Sequence, residues 1–302
     1  MRRVIAFVSA AAVSFAVPVM AQGQPDFSKV EIVTTKISDN FVALEGQGGR
    51  IGVLYGPDGV FMVDSQFAPL GDKIVAAIRK VSDQPIKVLV NTHVHGDHTG
   101  GNENIGKMGA TIIARPMLRE RLIKPNPPAG GGPAPASAPA AALPTYTPDS
   151  LTRMSMDGES IDLIPLPFAH TDGDTAVKFR KNDVLMTGDV FRSLGFPNID
   201  RTSGGSLKGM LAAFDTLIAA AGPNTKVLPG HGPITNRAGL VAHQRMTLAL
   251  RDQVSKMIAD GKTQEQVVAA KITNAYEKQT GNAAGTGDRF VNQLYLELKA
   301  AS

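Results

Sequence analysis

Three histidines and an aspartate fall within six consecutive positions of this 302-residue chain: His93-Val94-His95-Gly96-Asp97-His98. Imidazole nitrogen and carboxylate oxygen are ligand types that zinc accepts without cysteine, and the chain has no cysteine. The cluster follows an apolar run, 86–90, that has the composition of a buried strand. In extended backbone alternate side chains share a face, so His93 and His95 can reach one metal. Gly96 permits a sharp bend, which turns Asp97 and His98 toward a neighbouring position. Thr99-Gly100-Gly101-Asn102 then opens the next helix. Taken alone, the cluster is also compatible with a histidine-rich surface loop of adventitious metal affinity.

Three distant residues add to it. His170 follows Leu166-Pro167-Phe168-Ala169 and precedes Thr171-Asp172-Gly173-Asp174. Asp189 closes the apolar stretch Leu185-Met186-Thr187-Gly188. His231 sits in Leu228-Pro229-Gly230-His231-Gly232, again just beyond an apolar run. Each lies at a strand end, where the loops of layered α/β folds converge on one crevice. His243 differs, because it lies within a helical pattern and is expected to be an exposed or capping residue.

The elements that must carry these residues are legible as alternating runs. Short strands are expected at 30–33, 40–44, 50–55 and 59–64, separated by glycine-rich turns. A helix follows at 70–81, a strand at 86–90, another helix, and a strand at 110–114. Residues 124–148 change character, with Pro-Asn-Pro-Pro-Ala-Gly-Gly-Gly-Pro and an Ala/Pro alternation. This composition predicts a flexible surface insert, with a lid over the site as the functional alternative. Strands are expected again at 160–166, 175–179 and 183–187, then a helix at 206–221 opened by Ser206 as cap, and a strand at 226–228. The chain from 236 onward is mainly helical. The strand-then-helix pattern occurs before and after the insert, which predicts an α/β four-layer αββα sandwich.

Met1-Arg2-Arg3, an apolar run to Val19 and Val19-Met20-Ala21 form a basic n-region, an h-region and a small-residue cleavage site. Residues 1–21 are therefore read as a signal peptide, and 22–302 as one domain. The expected location is periplasmic or secreted, with no stable membrane insertion after cleavage. The formal charge of +4 includes Arg2 and Arg3, and what remains is too small for a nucleic-acid partner.

The set His93-X-His95-X-Asp97-His98, His170, Asp189 and His231, in that order, resembles the metallo-β-lactamase superfamily. Gly52-Val53-Leu54, Val63-Asp64 and Pro229-Gly230-His231-Gly232 carry the same resemblance. It implies a metallo-β-lactamase-fold hydrolase domain with two Zn2+ ions, or Fe or Mn in their place. One ion would sit on His93, His95 and His170, the other on Asp97, His98 and His231, with Asp189 bridging. Asp64 is either a turn-forming aspartate or an acceptor that orients a ligand histidine. The implied reaction is attack by a metal-bridging hydroxide on a small-molecule ester, lactone, thioester, amide or phosphodiester. Asp97 would be catalytic, holding the nucleophile or passing its proton to the leaving group.

Asp189 bears on subtype. Dedicated β-lactamases of the superfamily usually carry cysteine or serine at the matching position, so β-lactam hydrolysis is the alternative rather than the leading expectation. An iron-dependent oxidoreductase such as a sulfur dioxygenase is an alternative of another class. Arg192, Asn198 and Asp200 follow Asp189 closely and are candidates for the substrate pocket.

Overall fold

The computed structural model describes residues 26–127 and 132–300. The signal segment expected at 1–21 lies outside the described residues. Strands β1 (Val33–Ser38), β2 (Phe41–Glu45), β3 (Ile51–Gly56), β4 (Gly59–Val63), β5 (Ile86–Val90) and β6 (Thr111–Ile113) form a sheet in chain order. Helix α1 (Gly71–Arg79) joins β4 to its parallel neighbour β5. The short α2 (Gly96–Thr99) and α3 (Asn102–Lys107) join β5 to β6, also parallel. Helix α4 (Pro116–Ile123) leads out of this half. The second sheet holds β7 (Thr152–Met156), β8 (Glu159–Pro165), β9 (Thr175–Phe179), β10 (Val184–Met186) and β11 (Lys226–Leu228), in the order β11-β10-β9-β8-β7. Helix α5 (Leu207–Ala220) is the crossover between the parallel pair β10 and β11. Helices α6 (Arg237–Ala259), α7 (Gln264–Ala269) and α8 (Thr286–Ala300) complete the chain.

The alternation of side chains along each strand builds the layers. Phe41, Ala43, Leu54, Phe61 and Val63 of the first sheet pack on Ile161, Leu163, Val177, Phe179 and Met186 of the second. The Phe179 ring meets Phe41 and Phe61 edge-on, at 4.7 and 5.7 Å between centroids. The intervening residues, Val42, Leu44, Val53 and Met62, face Ile74 and Ile78 of α1 and Ile105 of α3. On the far side, Ala176, Leu185 and Val227 face Met210 and Phe214 of α5, Leu250 of α6 and Phe290 of α8. Strands covered on both faces read as continuous apolar runs, and each large side chain buried there contributes roughly 1.5–3 kcal/mol. The result is the four-layer αββα sandwich. Among the described residues no helix is long and apolar enough to cross a membrane.

Two local expectations are corrected, and two elements, β7 and α4, were not anticipated. The first strand runs over Val33–Ser38 rather than 30–33, and it is an edge strand whose partner is the backbone of β2. Strand β7, at the sheet edge, alternates Met154 and Met156 with exposed Arg153 and Ser155 over only five residues, a pattern too short to stand out. Helix α4 buries only Leu118, which leaves almost no helical periodicity to detect. The insert is not a free loop throughout. Ala138 N–H donates to Leu122 O at 2.8 Å, Asn102 Nδ2 to Ala142 O at 3.2 Å, and Thr145 N–H to Ile112 O at 2.9 Å. Proline content stops a segment from making its own hydrogen bonds, but neighbours can still supply them.

His243 is a further correction, being buried rather than exposed or capping. Its ring lies edge-on to Phe191 and at 5.6 Å from Phe214, and Nε2 has no hydrogen-bond partner. Burial, with Arg192 adding to it, pushes its pKa down to about 3. The unfolded chain therefore binds a proton here that the folded chain refuses, between the ordinary value near 6.5 and about 3. Stability is lost as pH falls through that window. At pH 5 the penalty is about 2 kcal/mol. In metal-stripped protein, His243→Leu should lose about that much less unfolding free energy than wild type between pH 7 and pH 5. Urea titrations at both pH values measure it, and parallel losses would remove His243 as the source.

Candidate metal centre

The centre forms where strand ends of both sheets meet. The parallel pair β4 and β5 sets Val63 beside Val90, so Asp64 leaves β4 next to the segment that carries the histidines. The parallel pair β10 and β11 sets Met186 beside Leu228, which delivers Asp189 and His231 together. Thr175 N–H at the start of β9 donates to Thr92 O at 2.8 Å and ties the sheets at this point.

Hydrogen bonds assign each imidazole its free nitrogen. Asp64 accepts from Thr92 N–H at 2.8 Å and from Thr92 Oγ1 at 2.7 Å, and faces His98 Nδ1 at 2.7 Å. A hydroxyl has one proton, and Thr92 gives it to Asp64. Thr92 Oγ1 must then accept from His93 Nδ1, 3.1 Å away. His170 Nδ1 donates to Asn198 O at 2.7 Å, since a carbonyl only accepts. His95 Nε2 donates to Asp200 Oδ2 at 2.8 Å. These partners leave Nε2 of His93, His98 and His170, and Nδ1 of His95, as the nitrogens available to a metal. Two of them, His170 Nε2 and His95 Nδ1, face each other at 3.0 Å. Nε2 of His93 and of His98 and Oδ1 of Asp189 are buried without a hydrogen-bond partner. Such a set of converging acceptors suits a cation.

The charges follow the same geometry. Burial, then His98 and His170, pushes His93 well below its ordinary value. Burial and His95 bring His170 to about 3. Burial opposes charge on His98, but Asp64 and Asp189 outweigh it and raise its pKa well above the usual range. Burial would raise Asp97 and Asp189 as well. His231 and His98 nonetheless hold Asp97 at about 2 and Asp189 well below the carboxylate range.

Backbone approach is tight. Any Cβ at Gly49 would strike the His98 ring, and one at Gly230 would strike Asp189 Oδ1. Asp174 braces the His170 turn, accepting from His170 N–H at 2.7 Å and from Thr171 N–H and Oγ1 at 2.9 and 2.6 Å. Burial pushes its carboxyl up to about 7 against those donors.

A sequence profile of the Metallo-beta-lactamase superfamily matches residues 46–232. The chain belongs to this superfamily. A hydroxyacylglutathione hydrolase from Nitrosococcus oceani is 25% identical over 70% of this chain and 72% of its own length. A metallo-β-lactamase from Pontibacter korlensis superposes with a TM-score of 0.58 at 20% identity, over 71% of this chain and 99% of its own. A stereoselective inverting sec-alkylsulfatase from a Pseudomonas species gives 0.69 at 14% identity, over 87% of this chain and half of its own. Superfamily membership and the converged donors together make the protein a metal-dependent hydrolase.

All seven residues expected as superfamily ligands come together. Three overlapping groups have their ligand atoms within 4.8 Å: His93, His95 and His170; His93, His98 and Asp189; Asp97, His98 and His231. Asp189 lies between them, with Oδ1 at 3.4 Å from His98 Nε2 and 3.3 Å from His231 Nε2, and Oδ2 at 3.9 Å from His170 Nε2. Of the two readings of Asp64, the acceptor is the one observed. Asn198 and Asp200 do line a cleft, and they also hold His170 and His95. Arg192 instead turns to Asp189 Oδ2 at 3.5 Å. Ser206 caps α5 as expected, accepting from Gly209 N–H. Sequence reasoning missed Thr92, Asp174 and Gly49. Thr92 adjoins His93, and Thr171-Asp172-Gly173-Asp174 was in view, but nothing local distinguishes a bracing residue from a turn residue.

Proposed function

We propose that the chain is a two-zinc hydrolase of a small carboxylic ester, lactone or thioester. His93, His95 and His170 would hold one ion, Asp97, His98 and His231 the other, and Asp189 would stand between. The observation that carries this reading is the set of available imidazole nitrogens, each with its opposite nitrogen already committed. A donor set of imidazole and carboxylate without sulfur suits zinc. Two bound cations would lower the pKa of a shared water and polarise the substrate oxygen. The name of the Nitrosococcus relative, a hydrolase of an acylated glutathione, supports including thioesters.

The chain's own residues prepare the reaction. His93, His98 and His170 are buried, while His95, Asp97 and His231 keep exposed edges of 27, 24 and 19%. Substrate therefore meets the centre on the His95–Asp97–His231 side. Asp97 is ionised at neutral pH. From that face its Oδ2 can take the proton of the attacking water and return it to the leaving group.

Elemental analysis of purified protein should find two zinc ions per chain. At least one of p-nitrophenyl acetate, a thioester, a lactone and a chromogenic cephalosporin should then be hydrolysed in a chelator-sensitive manner. A true substrate class should reach a kcat/KM of about 10⁴ M⁻¹s⁻¹ or more. A single iron with no hydrolysis would overturn the proposal in favour of redox chemistry. A cephalosporin rate far above the others would move the substrate to β-lactams.

A further inference from the structure

A cleft of about 620 Å³ opens beside His95, a size that suits a small-molecule site. Its walls come from the 94–96 segment of the histidine cluster, from loop 198–203, from the insert and from α8. Most of the polar side chains along it already have partners within the protein. Asp200 accepts from His95 through Oδ2, while its Oδ1 accepts from the Thr202 hydroxyl and from the Thr202 and Ser203 N–H groups. Arg121 clasps Asp172 through two nitrogens at 2.7 and 2.5 Å, and Arg201 pairs with Glu297 at 2.9 Å. Gln293 donates to Asn198 Oδ1 and accepts from Ile199 N–H. Asn126 donates to Thr202 O. What these residues leave for a ligand is largely hydrocarbon: Val94, Pro125, Pro127, Pro135 and Leu296, the last 41% exposed.

Resting on the hydrolase reading above, we propose that this cleft seats an apolar chain of the substrate, so that the enzyme favours medium-chain acyl or aryl-acyl esters and thioesters over acetyl ones. A polar chain would give up water here for few free partners, whereas an apolar chain loses only unfavourable hydration. Continuity with His95 places the chain next to the reacting group. Pro125, Pro127 and Pro135 give the wall positions with a restricted φ and no N–H to donate, which assigns these prolines a part in specificity.

The zinc-loaded protein is tested with p-nitrophenyl acetate, butyrate, hexanoate and octanoate. Each methylene transferred from water is worth up to about fourfold, so kcat/KM should rise at least tenfold across the series, mainly through KM. Leu296→Asp should flatten the series, and Leu296→Met should keep it. A second readout needs no turnover: N-phenyl-1-naphthylamine should brighten saturably with wild type and Leu296→Met, and bind at least tenfold more weakly to Leu296→Asp. Ester hydrolysis without chain-length preference, or a preference untouched by Leu296→Asp, overturns the cleft assignment and leaves the hydrolase standing. Probe binding that depends on Leu296 but no ester hydrolysis, with two zinc ions bound, sinks the ester reading and leaves the cleft assignment standing. Absence of probe binding to wild type overturns the assignment whatever the hydrolysis.

Discussion

Asp189→Ala protein should come off purification with one zinc ion or fewer and with kcat/KM down by about 10³-fold or more, roughly 4 kcal/mol of transition-state stabilisation. Asp189 is 4% exposed and its two oxygens face His98, His231, His170 and Arg192. Among the described residues no other carboxylate reaches both ends of the centre, since Asp97 approaches only His98 and His231. Removing it leaves His170 and Arg192 without the carboxylate between them, and His98 and His231 with Asp97 alone. Metal analysis and steady-state kinetics on the same preparation test this, with circular dichroism to confirm folding. Two bound metals at an undiminished rate would take Asp189 out of the site.

Asp64→Ala should weaken zinc binding 10- to 100-fold, the usual effect of losing the group that orients a ligand histidine. It should also destabilise the protein by about 3–5 kcal/mol. Thr92 N–H, Thr92 Oγ1 and His98 Nδ1 all lose their acceptor in a buried setting, at roughly 1–3 kcal/mol for each group left unsatisfied. The backbone adds to the cost. Asp64 has φ of 62°, a left-handed conformation that Asp and Asn tolerate and Ala resists. Asp64→Asn therefore separates the two effects: it keeps the backbone and one acceptor oxygen and should fall between wild type and Ala in both measurements. Chelator competition gives the zinc affinity and urea unfolding the stability. Wild-type zinc affinity in the Ala variant would show that His98 needs no such support.

By itself the sequence determined whatever depends on residue type and short-range period. The runs at 41–45, 59–63, 86–90 and 175–179 announced largely buried strands because most of their residues are apolar, with Glu45, Lys87 and Lys178 as the charged exceptions. The spacing of His93, His95, Asp97 and His98 announced a metal-binding segment, because a strand followed by a turn aims those side chains in a fixed pattern. Edge strands β1 and β7 and helix α4 stayed hidden, since short, partly exposed strands offer only two or three alternating positions and α4 buries a single residue. The tertiary structure alone decided which nitrogen of each histidine is free. That choice depends on what packs opposite: Thr92 for His93, Asp64 for His98, Asp200 for His95 and the Asn198 carbonyl for His170. It likewise decided that His243 is buried between phenylalanines and that half of the proline-rich insert is pinned to α3 and β6. Burial and hydrogen-bond partnership are properties of contacts between distant segments. A helical pattern shows which face a residue shares, but not what lies against that face.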